Sequence, residues 1–593
     1  MILVPGEKIA EYTRRGWWDE RMIGEIFIEQ AQRLGDRLAV ADPPNRMQLT
    51  GEAPLRWSWA ALQEQVGRWL DVLHARGLRK DDVVVVQLPN VVELHPIYLA
   101  CAIAGVVVSP VPVQYRAHEL AHVVEVSQAR VAIAATRVGS HCAAEHWLAH
   151  QGQLPGLREV WTLGLDAPAG AFDLGPALAA ASAWSPERMR AHMGAIGLCA
   201  HDVFTICWTS GTEARPKGVP RNHNEWLIIG RSVIDGGQIP DGAQMVIPFP
   251  FVNMAGVSSS LMAWLVAGCG LHQHHPFDLD IFIQQLRDQP IDYSVAAPAV
   301  LNLLLKQPEK LAGVDLSRLK RIGSGGGPLS EWMVQQMALQ FGIEVVNYFG
   351  SNEGASLVAA PMDVPDRAQR AIYFPRVGVP GYEWTLSNAR KVTTRLVDVE
   401  SGEDIHEPGR VGELRFKGPT IFSGYYRAPE LTARAFDDQG YYRTGDLFAI
   451  AGERGQFYRF AGRHKDIVIR GGMNISSEEV ENLLLGHPQV REAAVIGVPD
   501  TVLGEKVCAV VAPQPGQAPT LESLVHYLRD EAKTAAFKWP EHLLLVDALP
   551  RNPVGKILKR ELRERFGVAA AAPTAGGVSG ASGQPTEPME SRA

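Results

Sequence analysis

The segment Thr209 to Gly218, TSGTEARPKG, combines residue types that can bind phosphate. It follows the apolar run 203–208 and places small hydroxyl side chains around a glycine. Such a turn exposes backbone N–H groups and hydroxyl donors to phosphate oxygens, and Lys217 adds a positive charge. It is not a Walker A loop, because Pro216 precedes the lysine and a glycine follows it, where that loop has Ser or Thr. The sequence therefore predicts a phosphate-binding turn after a buried strand.

Further residues could complete a nucleotide site around this turn. The glycines at 325–327 lack bulky side chains, so a flat purine could lie against their backbone while Phe349 covers its other face. Asp446 follows a Thr-Gly turn and can accept two hydrogen bonds from the vicinal hydroxyls of a ribose, with Arg463 as a second sugar or phosphate contact. Taken alone, each pattern has an ordinary alternative: a loop, a core aromatic or a surface charge.

The order of these patterns along the chain resembles the adenylate-forming superfamily of acyl-CoA synthetases, aryl-acid and amino-acid adenylation domains, and luciferases. The matching motifs, in chain order, are TSGTEARPKG (209–218), SGGGP (324–328), FGSNE (349–353), GEL (412–414), YRTGDL (442–447), GRHKD (462–466) and PVGK (553–556). The resemblance implies a ligase that uses ATP and Mg²⁺ to convert a small-molecule carboxylic acid to acyl-AMP and pyrophosphate, and then transfers the acyl group to CoA.

The resemblance also assigns roles to single residues. The ATP-binding residues it implies are Thr209, Ser210, Gly211, Thr212, Lys217, Gly325, Gly326, Gly327, Phe349, Gly350, Asn352, Asp446 and Arg463. Glu353 is similar in position to the glutamate that holds Mg²⁺ on the ATP phosphates, and Lys217 and Lys556 match the catalytic lysines. Attack of a carboxylate on the α-phosphate brings two anions together, so positioning and neutralisation by cations must supply the catalysis.

The resemblance and a change of sequence texture near residue 462 suggest the domain organisation. The expected parts are a large ATP- and acid-binding domain (1–462), a hinge (463–466), a small domain with the catalytic lysine (467–567) and a disordered tail (568–593). Lys465 matches the hinge residue, and Gly471 and Gly472 would line a tunnel for the pantetheine arm of CoA. The tail assignment rests on its Ala, Gly, Ser and Pro content and on its lack of periodic apolar residues.

The acid pocket is expected to be apolar with few polar groups. Its expected lining is Trp226, Asn253, Met254, Gly256, Gly325 and Gly350. We expect a hydrophobic acid: alicyclic, aromatic, steroid-derived or medium-chain. The run KGVPRNHN (217–224) and the N-terminal RRGWWDE (14–20) resemble aryl-acid adenylating enzymes, so an aryl-acid enzyme that loads a carrier protein is the alternative.

The chain departs from the family pattern at several positions. Glu213 and Ala214 replace Thr-Gly in the phosphate turn, and Asn352 replaces a threonine. Asn253 stands where many acyl-CoA synthetases have a histidine, and Ser477 stands in place of a proline. Glu213 and Asn352 leave open a non-enzyme alternative, a nucleotide-binding sensor with degenerate catalytic loops.

The elements that must position these residues follow from the hydrophobic pattern. Short apolar runs such as VVVVQ (83–87) alternate with helical patterns through the first 460 residues or so. This rhythm predicts an α/β fold: a large N-terminal region with mainly parallel sheets, plus a small mobile α+β C-terminal domain. Ser330 is the expected N-cap of a helix that ends at Gly342, and Ser476 with Glu479 forms an S-x-x-E capping box in the small domain.

Composition narrows the classes of partner. The 593 residues include 57 Lys and Arg against 65 Asp and Glu, a net charge of −8, which argues against a nucleic-acid partner. The six cysteines form no CxxC pair and the N-terminus lacks a signal-like apolar core, so a cytoplasmic protein is expected. The apolar stretches 96–113 and 245–271 contain prolines and glycines and are interpreted as buried elements rather than membrane spans. The sequence allows a homodimer.

Overall fold

The computed structural model describes residues 1–209, 216–327, 329–463, 466–470, 473–500, 503–532, 534, 536–552 and 556–570. The chain divides into two compact units. The large unit is Met1–Lys465 together with Arg551–Ile557, and the small unit is Asp466–Pro550 together with the chain from Leu558. The short segment that carries Lys556 therefore groups with the large unit.

Two mainly parallel sheets form the centre of the large unit. The first has the strand order Phe172–Asp173, Glu159–Leu163, Val131–Ala135, Val83–Gln87, Val107–Pro110, Val203–Thr209 and Lys217–Asn222. The second has the order Ser356–Ala359, Glu344–Gly350, Arg321–Gly325, Tyr293–Ala296, Gln244–Ile247, Gly270–Gln273, Leu38–Ala41 and Arg56–Ser58. Every residue of Val83–Gln87 is buried, as expected for a strand covered on both faces.

A third sheet of the large unit is antiparallel. Its strand order is Tyr373–Pro375, Phe457–Arg463, Tyr442–Ala451, Val411–Lys417 and Thr393–Val397. Leu414 and Phe416 of Val411–Lys417 pack into an apolar cluster with aromatic side chains from neighbouring strands, among them Phe448 and Tyr458. This sheet presents Asp446 and Arg463 at paired positions.

Helices cover the parallel sheets. The described α-helices of the large unit are Gly6–Arg14, Ile23–Leu34, Arg46–Thr50, Trp59–Ala75, Leu94–Ala104, Ala117–Ser127, Ala143–Gln151, Leu174–Ala180, Pro186–Ala195, His223–Gly237, Met254–Gly256, Trp264–Ala267, Leu279–Asp288, Pro298–Lys306, Glu331–Phe341, Arg367–Ile372 and Pro429–Ala435. A π-helical turn, Val257–Ala263, and two 3₁₀ turns, Pro308–Leu311 and Ser387–Arg390, complete them. Among the described residues, no helix combines the length and apolar character needed to cross a membrane.

The small unit is an α+β layer. Its sheet has the order Met473–Ser476, Ile467–Arg470, Gly504–Pro513 and Val490–Asp500, with His542–Leu545 also paired to Gly504–Pro513. Its helical elements are Ser477–Leu485, Leu521–His526, Tyr527–Glu531, Ala536–Lys538 and Lys559–Ala570. The fold class expected from the sequence, a large region of mainly parallel sheets with a small C-terminal unit, is confirmed.

Both predicted helix starts are also confirmed. Ser330 Oγ accepts the Met333 N–H at 3.2 Å, and the helix Glu331–Phe341 ends at Gly342, whose φ is 69°. Ser476 Oγ accepts the Glu479 N–H at 3.2 Å at the start of Ser477–Leu485. A short polar side chain at the N-cap accepts a hydrogen bond from a helical N–H that has no partner within the helix. For this reason the start of such a helix can be predicted from the sequence.

Candidate active site

The predicted phosphate turn lies between two antiparallel strands. Val203–Thr209 pairs with Lys217–Asn222, with Thr209 opposite Lys217, and the Lys217 N–H donates to Thr209 Oγ1 at 3.3 Å. The indole N–H of Trp208 donates to Ser109 Oγ at 2.9 Å, which anchors the first strand in the sheet. Thr209 and Lys217 therefore lie together at the base of the turn. Ser210, Gly211 and Thr212 lie outside the described residues.

Glu353 is held by contacts on both its backbone and its side chain. The residue is 7% exposed, its side-chain Oε1 accepts the Tyr425 hydroxyl at 2.9 Å, and its backbone carbonyl accepts the Phe422 N–H at 2.9 Å. Gly354 follows with φ of 99°, and a Cβ at that position would overlap the Thr420 carbonyl oxygen. Among the described residues Glu353 Oε2 accepts no hydrogen bond. A rigidly held carboxylate with one uncommitted oxygen fits a divalent cation.

Tyr425 connects this acid to the phosphate turn. Its hydroxyl binds Glu353, and Lys217 Nζ lies 5.1 Å from the centre of its ring, which is a cation–π distance. The next residue, Tyr426, donates its N–H to the carbonyl of Gly218 at 2.8 Å, so the two segments are joined at the backbone as well. The structure therefore brings Lys217 and Glu353 into one region through a tyrosine that the sequence interpretation missed.

Asp446 belongs to the same region. It is 3% exposed and lies opposite Arg463 in the antiparallel sheet, and its N–H donates to Thr444 Oγ1 at 3.0 Å. Burial, followed by the negative charges of Glu353 and Asp446 and a hydrogen bond with Tyr425, raises the pKa of Tyr442 well above its usual range. Both acids thus act on one phenol, although no hydrogen bond joins the two acids among the described residues.

The glycine-rich turn after the strand Arg321–Gly325 is shaped by close packing at one end and open space at the other. A Cβ on Gly325 would overlap the carbonyl oxygen of Tyr348, so this position tolerates only glycine. Gly326 has φ of 81° with no atom within 4 Å of an added Cβ, and Gly327 has its nearest neighbour at 3.9 Å. The backbone of Gly326 and Gly327 is therefore accessible to a flat ring.

Phe349 is half-buried at the end of Glu344–Gly350. Its ring packs at 5.2 Å from Phe448 and at 6.1 Å from Phe374 and Phe460, so part of its surface belongs to the aromatic core. Gly350, next in the chain, is exposed, and an added Cβ would have its nearest neighbour at 3.7 Å. The strand therefore delivers an aromatic edge and an open glycine at its carboxyl end.

The expected acid-pocket residues divide into two groups. Asn253 Oδ1 accepts the Gly256 N–H at 3.2 Å, and the Met254 N–H donates to Asn352 Oδ1 at 2.7 Å, so this loop lies beside the strand end that carries Glu353. A Cβ on Gly256 would overlap the Pro250 carbonyl, so this glycine is required by the loop's own fold. Trp226 instead is fully buried in the core and donates its indole N–H to Thr205 Oγ1 at 2.8 Å.

The buried side chains of Arg221 and Glu225 lie next to the backbone of Asn352. Arg221 is fully buried, donates from Nη1 to the Asn352 carbonyl at 3.0 Å, and lies 3.9 Å from Glu225. Burial lowers the pKa of Arg221 and raises the pKa of Glu225 to about 7, opposed by the charge of the partner. The sequence offers a weak signal for Arg221, which follows the lysine of the phosphate turn by four residues.

Lys556 lies in a short closed segment. Its N–H donates to Asn552 Oδ1 at 2.8 Å, its carbonyl accepts the Asn552 N–H at 2.8 Å, and Arg551 forms a bridge with Ile557. The side chain is exposed. Lys465, Gly471 and Gly472 lie outside the described residues, and the side chain of Arg463 is likewise not described. Within the small unit, Ser477 Oγ donates to the Asp466 carbonyl at 2.7 Å and accepts from Lys559 Nζ at 2.8 Å.

The chain matches known protein families over most of its length. Residues 27–426 match the AMP-binding enzyme family and residues 479–556 match the AMP-binding enzyme C-terminal domain. The chain is 29% identical over 565 residues to the medium-chain fatty-acid–CoA ligase of Escherichia coli (strain K12), across 94% of this chain and 93% of that protein. It is 30% identical over 564 residues to pyochelin synthase PchD of Pseudomonas aeruginosa (strain UCBPP-PA14), across 95% of each. ATP-bound MatB from Rhodopseudomonas palustris superposes with a TM-score of 0.73 at 28% identity, covering 92% of this chain and 99% of that one.

The fold and the site together define an adenylate-forming enzyme, and the sequence-based resemblance is confirmed. The chain belongs to the AMP-binding enzyme family, with both its large region and its C-terminal domain. It is therefore an ATP-binding ligase that activates a carboxylic acid as an adenylate. Acceptors typical of this family are CoA and carrier proteins.

Proposed function

We propose that this chain is an AMP-forming acid:CoA ligase for a hydrophobic carboxylic acid. The observation that carries the proposal is the position of Tyr425, whose hydroxyl binds Glu353 and whose ring lies against Lys217. These contacts bring an acid and a cation to the phosphate turn, the two groups that ATP with Mg²⁺ needs. Similarity to a medium-chain fatty-acid–CoA ligase supports both the acceptor and the apolar character of the acid.

The first half-reaction joins the acid to AMP. An oxygen of the carboxylate attacks the α-phosphorus, the bond from that phosphorus to the oxygen bridging to the β-phosphorus breaks, and pyrophosphate leaves. Lys217 and Lys556 neutralise the charge that accumulates, while Asp446 and Arg463 hold the ribose and the glycines at 325–327 face the adenine. Mg²⁺ held by Glu353 would add positive charge on the phosphates.

The second half-reaction transfers the acyl group. The sulfur of CoA attacks the acyl carbon, the bond from that carbon to the phosphate oxygen breaks, AMP leaves, and the thiol proton passes to solvent. A hinge at Lys465 and a thiol tunnel along Gly471 and Gly472 belong to this step as proposals, because these residues lie outside the described part of the chain. Rotation of the small domain about such a hinge would exchange one set of contacts for the other.

Acid-dependent exchange of labelled pyrophosphate into ATP tests the first half-reaction. A panel of medium-chain, alicyclic, steroid-derived and aromatic acids is compared with acetate, with Mg²⁺ and with EDTA. We expect exchange with one apolar class, none with acetate, and loss of exchange in EDTA. Exchange with acetate alone would contradict the apolar pocket. ATP binding without exchange for any acid would instead support the nucleotide-binding sensor.

An aryl-acid adenylating enzyme that loads a carrier protein is the second candidate. Similarity to pyochelin synthase PchD favours it. The deciding experiment gives the enzyme its best acid, ATP and Mg²⁺, with either CoA or a pantetheinylated carrier protein. Thioester on CoA, seen by mass spectrometry, supports the ligase; adenylate that accumulates until the carrier is added supports the alternative.

A further inference from the structure

Asn352 connects three segments of the site. Its side-chain Nδ2 donates to the Trp208 carbonyl at 3.1 Å, and its Oδ1 accepts the Met254 N–H at 2.7 Å. Its backbone carbonyl accepts from Arg221 Nη1 at 3.0 Å. Trp208 precedes Thr209 at the base of the phosphate turn, and Met254 belongs to the loop expected to contact the acid. One amide therefore bonds the phosphate strand on one side and the acid loop on the other.

The backbone that carries this amide is fixed. Arg221 is fully buried, and its Nε lies 3.9 Å from Glu225 Oε2. The guanidinium that donates to the Asn352 carbonyl is therefore held in the protein interior beside an acid. Gly354, two residues on, fits against the Thr420 carbonyl only because it has no Cβ. A side chain that projects from such a backbone transmits a displacement of one bonded segment to the other.

The chemistry of the side chain is specific. The two contacts need a donor and an acceptor on one planar group, which Asn provides and which Asp, lacking the N–H, does not. The hydroxyl of a Thr, usual in the family, is carried one bond closer to the backbone than the amide nitrogen and oxygen of Asn. Asn253 is the other position in this region that departs from the family pattern. The next residue, Met254, supplies the N–H that Asn352 accepts, and Asn253 Oδ1 accepts the Gly256 N–H within the same loop. The two departures from the family pattern thus belong to a single loop anchorage.

We propose that Asn352 is a positioning residue that holds the loop Asn253–Gly256 at a fixed distance from the end of Val203–Thr209, so that the acid and the α-phosphate meet in register. The proposal rests on the proposed function. Each polar atom of the side chain makes one hydrogen bond within the protein, and the ATP Kd of a variant distinguishes this role from phosphate binding by the second N–H of Nδ2. A misplacement of about 1 Å between reacting groups can cost about 100-fold in rate.

The test compares variants by pyrophosphate exchange and by calorimetric ATP binding in the absence of acid. For Asn352→Ala we expect kcat/KM for the acid to fall about 100-fold, with contributions from both kcat and KM, and the ATP Kd to stay within about 3-fold. Met254→Pro deletes the bonded N–H at the first helical position, where proline is tolerated. It should give a comparable loss, and the double variant should lose little more than either single one.

The matched control is Asn347→Ala. Asn347 is also buried and donates from Nδ2 to the carbonyls of Arg370 at 3.1 Å and Ala371 at 2.9 Å, on the strand that leads to Asn352. Its loss should lower the melting temperature and leave both acid and ATP constants unchanged.

The outcomes separate this proposal from the proposed function. If the wild type exchanges pyrophosphate and Asn352→Ala matches it, or loses ATP affinity while keeping its acid KM, the positioning role is overturned and the function stands. If no acid of the panel supports pyrophosphate exchange by the wild type, both the proposed function and the positioning role are overturned. Should Asn352→Ala fail to fold, Met254→Pro alone decides: retention of wild-type kcat/KM for the acid overturns the positioning role.

Discussion

Removal of one hydroxyl, in Tyr425→Phe, tests the centre of the site. The phenol donates to Glu353 Oε1 at 2.9 Å, and Glu353 as a whole is only 7% exposed, so water cannot readily replace the phenol. A hydrogen bond to a charged group contributes about 1.5–3 kcal/mol, which corresponds to about 10- to 150-fold in rate if it holds the acid in its working position. The ring remains, so the contact with Lys217 is retained.

The assay is pyrophosphate exchange measured across a Mg²⁺ titration. We expect kcat to fall by about 10- to 150-fold and the Mg²⁺ concentration for half activity to rise, because Glu353 loses the partner that orients it. Tyr426→Phe is the matched control, since it changes the adjacent tyrosine, whose hydroxyl makes no hydrogen bond to a described residue. An unchanged kcat and Mg²⁺ dependence in Tyr425→Phe would refute the assignment of Glu353 and Tyr425 to the metal and phosphate site.

Three further changes probe the chain. Lys556→Ala should slow adenylation by about 100-fold or more yet leave thioester formation from added acyl-AMP, whereas the exposed Arg560→Ala should alter neither, as quenched-flow assays would reveal. Gly354→Ala should cost at least about 2 kcal/mol in urea unfolding, and Gly326→Ala, which also has positive φ but open space, about 1 kcal/mol; equal costs would contradict the overlap with Thr420. Burial lowers the pKa of His95 to about 3. Below pH 6.5 the His95 imidazole is therefore protonated in the unfolded chain but stays neutral in the folded chain, so the free energy of unfolding falls as pH falls. His95→Gln should lose about 2 kcal/mol less than the wild type between pH 7 and pH 5, and parallel pH profiles would show that His95 is not buried neutral.

Local signals in the sequence predicted local structure well. The cap at Ser330 and the glycine at 342 define a helix because both act within one turn of the chain, and the structure has that helix at Glu331–Phe341. The short apolar runs predicted the individual strands because each run is likewise a local signal. The family resemblance implies roles for Lys217 and Glu353 because each lies in a short motif of contiguous residues.

The contacts that join these turns could not be predicted. Tyr425 is 72 residues from Glu353, and Asn352 is 144 residues from Trp208, so the pairs meet only when three sheets assemble. No periodicity marks such a residue, because its position depends on the crossing of loops rather than on a face of one helix or strand. Trp226 shows the same limit: its place in the acid pocket stays a prediction, and the structure adds that its indole is buried and donates to Thr205 Oγ1.

The run at 217–224 resembles aryl-acid adenylating enzymes, and the structure shows what two of its side chains contact. His223 Nδ1 accepts the Ile23 N–H at 3.2 Å, and Asn224 accepts the Asp19 N–H at 3.1 Å and donates to its carbonyl at 3.0 Å. These side chains are buried and dock the N-terminal segment that contains Trp18, so likeness to aryl-acid enzymes at both places reflects one packing interaction rather than two marks of substrate. We propose that the loop held by Asn352 contributes to the choice of acid, because Met254 takes no part in the contacts that dock the N-terminal segment. A substitution at Asn224 should lower stability at constant acid preference, whereas one at Met254 should change the preference.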